Sequence, residues 1–419
     1  MKYRFKRGDE ILTSYPFAHV IQSGHRGQVC DHCVNRSEQL LRCSRCKIAY
    51  YCNRGCQAAA WPDHKVECSR MNEEPGIASR IATEARFLAK ILVKLKGKDP
   101  KEVTEDVLGQ RRSFHDLVSH AKHIKEDMER MVHFWFLRGS IKRLLGEGWL
   151  PGYEMDLEVY GKASINCYTI SDEFGGPVGT GLYIGPSIFN HSCDPNAQFI
   201  FDGHRLVMRA MKDIACNTIA GIRISYLDLL NTRKGRMEKL RKHYYFDCTC
   251  SRCSAEEATE CMTEKSPALT SEAAALWSAF QLLGVPTLGD YARFLRLAED
   301  FMAANGLPEN DIAQAKARKL ATCCPMQGAP AFTHRVAMVE VWRKCYGPFN
   351  ATYSMLLYNI ASVLHLDGRL EGALKYYKEA SDAMEVSHGK RHPEFKRLIE
   401  DKQRCTLALE AQKNTPSHL

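Results

Sequence analysis

The chain has 419 residues, of which 45% are hydrophobic and 26% are charged. This balance is typical of soluble globular proteins, and the length allows two to four domains. No run of about 18 apolar residues is present, so no membrane-spanning helix is expected. The first residues have no apolar segment before a cleavage site, so no secretory signal is expected either.

The charge and the cysteine content point to metal binding. The formal net charge is +9 and the chain has 18 cysteines. Because no export signal is recognised, the cysteines indicate metal ligands in a reducing compartment rather than a disulfide framework. Three zinc ions held by eleven thiolates and one histidine would lower the net charge to about +4. A charge of this size gives only weak support to nucleic-acid binding.

Periodicity of apolar residues predicts a mixed chain. The predicted elements are strands at 11–12 and 17–21, helices over 77–95 and 114–136, and strands at 164–170, 197–201, 205–210 and 222–227. Turns are expected at 175–177 and 202–203, and the chain is helical after about residue 259. This order predicts an α+β region followed by an all-α tail.

A dense group of metal-ligand residues lies between residues 30 and 68. In order they are Cys30, Cys33, Cys43, Cys46, Cys52, Cys56, His64 and Cys68. Two ligands separated by two residues in a turn, or by one turn of a helix, can bind the same tetrahedral zinc ion. Eight ligands complete two closed structural sites, and the spacing alone leaves their pairing open.

The same segment, with Trp61-Pro62-Asp63 directly before His64, resembles the MYND zinc finger. The resemblance implies a crossed pairing, with Cys30, Cys33, Cys52 and Cys56 on one zinc ion and Cys43, Cys46, His64 and Cys68 on the other. The finger has seven basic and four acidic residues, and its two metal sites bring the net charge near zero. A solvated surface, a peptide-binding surface and a DNA-binding patch are therefore alternatives for it.

Three later segments carry a second resemblance. The segment 181–196 contains Asn190-His191-Ser192-Cys193, and segments 225–228 and 244–253 follow it. In order and spacing they resemble the core and post-SET motifs of SET-domain lysine methyltransferases. With the finger upstream, the match is to the SET and MYND domain-containing (SMYD) family. It covers residues 1–258, and the helical tail more loosely.

The resemblance implies a fold and a domain order. The expected fold is a SET β-fold interrupted by a MYND zinc finger and a helical insert, followed by an all-α, tetratricopeptide-like (TPR-like) C-terminal domain. The expected domains are the N-terminal part of SET (1–27), the finger (28–70), the helical insert (71–155), the SET core (156–230), the post-SET zinc segment (231–258) and the C-terminal domain (259–419). Residues 351–386 have the spacing of one TPR-like helix pair, and a plain helical bundle is the alternative.

A third zinc site is expected near the SET motif. Cys248, Cys250 and Cys253 provide three thiolates, one short of a closed tetrahedron. Cys193 can supply the fourth, which would draw the late cysteines onto the Asn190–Cys193 segment. The alternative is a three-cysteine cluster with a water ligand or a redox role.

The implied reaction is methyl transfer from S-adenosylmethionine to a neutral lysine amine. A free lysine has a pKa of about 10.4, which an apolar channel and a nearby positive charge would lower. On the resemblance, Tyr226 orients the amine through its hydroxyl, and Tyr168 and Tyr244 form the walls of the lysine channel. The implied cofactor-binding residues are Asn190, His191, Phe246, His120, Tyr226 and Asn166.

Two segments depart from the family pattern. SET domains open with a Gly-x-Gly strand that approaches the cofactor, and no such strand is recognised before the segment 6–12. The segment 213–224 is about two residues longer than the usual Gly-Glu-Glu turn, and a bulged turn before Tyr226 is expected to absorb the difference. Both departures bear on activity more than on fold.

The expected partner is a protein lysine substrate, histone or non-histone, in the cytoplasm and nucleus. A peptide partner at the finger or the tail, a monomeric state and no membrane contact are also expected. Two alternatives stay open: a zinc-organised interaction scaffold without catalysis, and a nucleic-acid-binding finger, which would show a steep salt dependence.

Overall fold

The structure is a computed structural model, and it describes residues 2–74, 76–172, 175–256, 260–283, 286–322 and 329–414. Among these residues no helix combines the length and apolar character needed to cross a membrane. The strands are β1 (Tyr3–Phe5), β2 (Glu10–Ser14), β3 (Ala18–Ile21), β4 (Leu41–Arg42), β5 (Tyr50–Tyr51), β6 (Thr104–Val107), β7 (Gln110–Ser113), β8 (Cys167–Ser171), β9 (Pro177–Leu182), β10 (Asn190–His191), β11 (Ala197–Asp202), β12 (Arg205–Ala210), β13 (Ile214–Cys216) and β14 (Arg223–Ile224).

Helices form the second half of the finger, most of the insert and the C-terminal part, and three more lie between residues 153 and 254. They are α1 (Arg54–Glu73), α2 (Ile77–Arg80), α3 (Thr83–Leu95), α4 (Ala121–Glu126), α5 (Met128–Leu145), α6 (Tyr153–Asn166), α7 (Arg233–Tyr244), α8 (Ser251–Ser254), α9 (Pro267–Gln281), α10 (Leu288–Asn305), α11 (Ile312–Thr322), α12 (Ala329–Tyr346), α13 (Ala351–Leu366), α14 (Leu370–Ser387) and α15 (Pro393–Asn414). The expected α+β region followed by an all-α part is confirmed.

Two small antiparallel sheets form the centre of the SET region. One has the order β11-β12-β2 and the other the order β3-β9-β8. Along β3, Ala18 and Val20 pack against the helices of the insert, whereas Ile21 packs into the core shared by both sheets. This division follows the two-residue period of a strand, and it places one sheet between two apolar cores.

The C-terminal helices pack directly on the SET region. The α13–α14 pair predicted from the sequence is confirmed, and Gly368, with φ of +73°, forms the turn between the two helices. Gln198 in β11 donates from Nε2 to the Phe349 carbonyl at 2.8 Å and accepts from the Ala351 amide at 2.8 Å. Arg209 in β12 donates to the Val386 carbonyl at 3.0 Å. The sheet β11-β12-β2 therefore anchors the helical domain.

Two secondary-structure predictions were wrong in part. Residues 164–166, predicted as strand, form the last turn of α6, and the strand begins at Cys167. The predicted helix over 114–136 is divided, because His120 has a left-handed backbone (φ 49°) and the Asp127 side chain caps a new helix at Arg130. In the second of these helices, α5, Trp135 and Phe136 are 49% and 59% exposed.

The segment leading to Tyr226 also differs from the prediction. Only Arg223 and Ile224 of the predicted strand 222–227 lie in a strand, β14. A 3₁₀ turn at Ile219–Gly221 lies one residue before β14. That a bulged turn absorbs the extra length of this segment stays a prediction.

Candidate active site and zinc centres

The finger contains two ligand groups of the predicted composition. The ligand atoms of Cys30, Cys33, Cys52 and Cys56 lie within 4.8 Å of one another, as do those of Cys43, Cys46, His64 and Cys68. The β4–β5 hairpin and the start of α1 bring the pairs together, and the Asn53 side chain caps α1 at the Cys56 amide, at 3.0 Å. The crossed grouping implied by the resemblance is the one observed.

A buried ion pair supports the second finger site. His64 Nδ1 contacts Glu67 Oε1 at 2.9 Å, and Arg86 from α3 donates two hydrogen bonds to the same carboxylate, both at 3.1 Å. Burial alone would raise the pKa of the Glu67 carboxyl, but Arg86 and Lys90 hold it well below its usual range. The carboxylate thereby fixes the His64 ring with Nε2 toward Cys46. Sequence reasoning missed Glu67 and Arg86, because they lie 19 residues apart.

The third ligand group joins distant parts of the chain. The Sγ atoms of Cys193, Cys248, Cys250 and Cys253 lie within 4.8 Å of one another, and the Cys193–Cys253 distance is 3.6 Å. Four cysteines complete a tetrahedral donor set for zinc, which fits the expected metal. We call this group the post-SET centre.

A two-residue parallel ladder connects the post-SET centre to Tyr226. β10 and β14 pair with Asn190 opposite Arg223 and His191 opposite Ile224. The Asn196 side chain closes the same junction, since its amide donates to the Gly221 carbonyl and its oxygen accepts from the Arg223 amide, each at 2.8 Å. Asn196 is the last residue of the Asn-His-Ser-Cys motif segment, and its role was not foreseen from the sequence.

The His191 side chain bridges the metal ligand and the tyrosine loop. Its Nδ1 accepts from the Tyr226 amide at 2.9 Å, and its Nε2 lies 3.2 Å from Cys193 Sγ. Burial, with Arg236 and Arg223, lowers the pKa of His191 to about 4, so the ring is neutral at physiological pH. A neutral ring that accepts at Nδ1 has its proton on Nε2, directed at the cysteine sulfur.

The three predicted catalytic tyrosines lie close together. The Tyr226 hydroxyl donates to the Phe189 carbonyl at 2.6 Å, and its ring centroid lies 4.9 Å from that of Tyr244. Tyr168 is buried against Phe199 (4.9 Å), and its hydroxyl donates to the Pro186 carbonyl at 2.9 Å. Burial raises the pKa of Tyr226 and of Tyr244 to about 12. The phenols are therefore protonated and can act as neutral hydrogen-bonding groups.

Arg112 is a cation near this group that sequence reasoning missed. It extends from β7 and donates to the Ser187 hydroxyl (2.9 Å) and carbonyl (3.1 Å). Its charge partly offsets the effect of burial on the pKa of Tyr226. It was not foreseen because the β6–β7 hairpin lay outside the predicted elements.

The predicted cofactor-binding residues divide into a set close to Tyr226 and a buried residue, Asn166. Asn190 is exposed, and Phe246 is half-buried with its ring 6.0 Å from that of His191. His120 lies beside the same segment, because its ring is 5.0 Å from Tyr245. Phe246 and Tyr245, the contact of His120, directly follow Tyr244, whose ring packs on Tyr226.

Asn166 is not part of that set. It is buried, and its amide donates to the Val118 and Lys162 carbonyls, both at 2.8 Å. These bonds join α6 to the chain before α4, so the structure gives Asn166 a packing contact. Its role toward a cofactor stays a prediction.

Comparison with known proteins adds independent information. The family model for the MYND finger matches residues 30–68. The chain is 30% identical over 401 residues to the mouse protein named histone-lysine N-methyltransferase SMYD3, which covers 94% of this chain and 90% of that protein. The human protein of the same name is 30% identical over 406 residues, with the same coverage. Human N-lysine methyltransferase SMYD2 is 27% identical over 436 residues, covering 94% of both chains.

Proposed function

We propose that this chain methylates lysines of histone or non-histone proteins in the cytoplasm and nucleus. It belongs to the SET and MYND domain-containing (SMYD) family and is an S-adenosylmethionine-dependent protein-lysine N-methyltransferase. The three Cys/His groups described above can each bind a zinc ion, and we propose zinc as their metal. We further propose that the single chain acts as a monomer and makes no membrane contact.

The surface beside Tyr226 fits the cofactor in its donor and aromatic groups. Asn190 presents an exposed amide, and the half-buried Phe246 offers a ring on which an adenine base can stack. We assign cofactor binding to these residues, to the main chain of His191 and to His120. When bound, the cofactor supplies an electrophilic methyl group on a sulfonium.

The three tyrosines and Arg112 then set the protonation state and the orientation of the substrate amine. A lysine transfers its lone pair only when deprotonated, and the buried aromatic walls of Tyr168 and Tyr244 disfavour its charged form. The Arg112 cation acts in the same direction. Since the Tyr226 hydroxyl donates its proton to the Phe189 carbonyl, its oxygen can accept a hydrogen bond from the neutral amine and orient it.

One observation carries the proposal. Tyr226 is held by its amide on His191 and by its hydroxyl on Phe189, so its position depends on the segment that supplies Asn190 and Cys193. Catalytic hydroxyl, cofactor-binding asparagine and metal ligand are therefore fixed by one short ladder. This coupling is what an enzyme that aligns two substrates requires.

The test is transfer of labelled methyl from S-adenosylmethionine to a protein substrate. We expect Tyr226→Phe to lower kcat by about 100-fold or more, because one hydrogen bond that orients the amine is lost. Calorimetric titration of the cofactor with both proteins is the control, since the variant keeps Asn190, His191, Phe246 and His120 and loses only the Tyr226 hydroxyl. An interaction scaffold would instead bind no cofactor, and equal rates in both proteins would contradict the role of Tyr226.

A protein partner at the finger is a finer part of the proposal. Leu41 and Trp61 are 56% and 39% exposed on the finger. Large exposed apolar side chains of this kind suit a peptide better than a nucleic-acid backbone. Peptide binding should respond weakly to salt, whereas a nucleic-acid complex would weaken steeply between low and high salt.

A further inference from the structure

Two cysteines outside the zinc centres lie against each other. The Sγ atoms of Cys261 and Cys345 are 3.2 Å apart, although the residues are 84 positions apart in the chain. Sulfur pairs inside the zinc centres are wider, at 3.6 Å for Cys33–Cys52 and 3.7 Å for Cys43–Cys68. The pair therefore approaches more closely than thiols that share a metal ion.

A metal ion does not account for this contact. Among the described residues, the groups of three or more donors that could hold a metal are the three centres above, and neither Cys261 nor Cys345 belongs to one. Arg252 Nη2 lies 2.8 Å from Cys261 Sγ. A guanidinium at this distance stabilises a thiolate and disfavours a second cation.

The two sulfurs have different environments. Cys261 is half-buried, and its hydrogen bond with Cys345 lowers the pKa of the Cys261 thiol to about 7, with a further contribution from Arg252 against the effect of burial. Cys345 is buried, and its contact with Cys261 and its burial raise the pKa of its thiol. Cys261 is thus the accessible nucleophile and Cys345 the protonated neighbour.

We infer that Cys261 and Cys345 form a dithiol that hydroperoxides oxidise to a disulfide. The Cys261 thiolate attacks the terminal peroxide oxygen, an S–O bond forms, the O–O bond breaks, and the leaving hydroxide takes a proton to become water. The Cys345 sulfur then attacks the resulting sulfenic acid, the S–S bond forms, and the hydroxyl leaves as water with the Cys345 proton. The dithiol loses two electrons, and hydrogen peroxide is reduced to two molecules of water.

The disulfide would join the end of α12 to the segment that follows the post-SET centre. Cys345 lies at the end of α12, and its carbonyl accepts from Arg252 Nη1 at 3.1 Å. The next residue, Tyr346, donates to the Asp228 carboxylate, two positions after Tyr226. Oxidation would therefore fix α12 against the loop that carries the catalytic tyrosine. The inference concerns sulfur chemistry alone and does not depend on methyl transfer.

The test uses the full chain, reduced and loaded with zinc, treated with a small excess of hydrogen peroxide. Peptides mapped without reduction should show Cys261 joined to Cys345 with loss of two hydrogen atoms, before a chromogenic chelator detects released zinc. The oxidised protein should also melt several degrees higher, because a long loop is closed. Zinc release without this cross-link, or a disulfide from either cysteine to another one, would overturn the inference.

Single variants separate the two roles. In Cys345→Ser the sulfenic acid should persist on Cys261, and a dimedone-type probe should label Cys261 about tenfold faster than Cys405. Cys405→Ser is the matched control, because Cys405 is a buried cysteine that bonds only to the Leu370 carbonyl among the contacts described. It should form the cross-link at the wild-type rate. Equal labelling of Cys261 and Cys405 would also overturn the inference.

Discussion

The finger and the post-SET centre both use cysteine ligands, with His64 added in the finger, but they differ in how the ligands are distributed along the chain. The finger draws all eight from residues 30–68, whereas the post-SET centre combines Cys193 with three cysteines of segment 248–253. A local centre organises its own segment. A centre built from distant segments also fixes whatever lies between them, and here that includes β14 and Tyr226. Loss of zinc should therefore affect catalysis very differently in the two regions.

The largest expected effect comes from breaking the post-SET centre. In Cys250→Ser we expect one zinc ion fewer per chain and a loss of methyl transfer of about 100-fold or more, because the segment that positions Tyr226 loses its anchor. Zinc content by mass spectrometry and labelled-methyl transfer measure the two quantities. Cys52→Ser in the finger is the matched control, and it should lose one zinc ion with a much smaller change in rate on a short peptide. Similar losses of rate in both variants would contradict the comparison.

Replacing His191, which bridges Cys193 and Tyr226, should cause the next largest loss of methyl transfer. His191→Phe keeps a ring of similar shape but removes the acceptor for the Tyr226 amide and the donor to Cys193. We expect kcat and the zinc affinity of the post-SET centre to fall by about 10-fold to 100-fold. Competition with a zinc chelator separates this centre from the finger, whose affinity should not change. A variant with full zinc affinity and full kcat would show that the ring only fills space.

A matched substitution in the finger, at Glu67, should lower the free energy of unfolding more than it lowers the rate of methyl transfer. Glu67→Gln leaves the Arg86 guanidinium buried without its counter-charge, which should cost about 3 kcal/mol of unfolding free energy. His64 also loses its carboxylate partner, so zinc should leave the finger sooner during chelation. Urea denaturation and chelation kinetics test both. Methyl transfer to a short peptide should stay close to wild type, and a loss as large as that of His191→Phe would contradict the comparison.

The smallest expected effect is that of pH. The zinc ligands are already deprotonated near neutrality, so a rise from pH 7.5 to pH 9 acts mainly on the substrate amine. We expect kcat/KM to rise several-fold as more lysine becomes neutral. The pKa of Tyr226 is about 12, so its hydroxyl keeps its proton over this range. A fall in kcat/KM below pH 9 that is absent in Tyr226→Phe would show that the phenol ionises earlier.

Local patterns in the sequence were enough for part of the structure. The finger ligands, the three late cysteines and the strands around 197–201 and 205–210 follow from spacing and alternation, which are properties of neighbouring residues. The crossed pairing in the finger and the placement of Tyr226, Tyr168 and Tyr244 followed from the family resemblance, and both residue groups do lie together. Their catalytic roles stay predictions until the variants are measured.

Tertiary contacts account for what the sequence could not reveal. Residues 164–166 have the composition of a strand, but they form the end of α6, where Asn166 donates to the distant Val118 carbonyl. The His191 bridge and the Glu67–Arg86 pair depend on side chains that meet only after folding. No periodicity marks such pairs, because each partner belongs to a different element.

The Arg86–Glu67 contact also bears on how the molecule would hold a partner. Since both side chains are almost completely buried, this ion pair fixes the orientation of the finger relative to α3. A peptide bound near Trp61 would therefore be held at a fixed distance and orientation relative to the methylation site. Donor and acceptor dyes on the two regions should report one narrow distance distribution, and Arg86→Ala should broaden it.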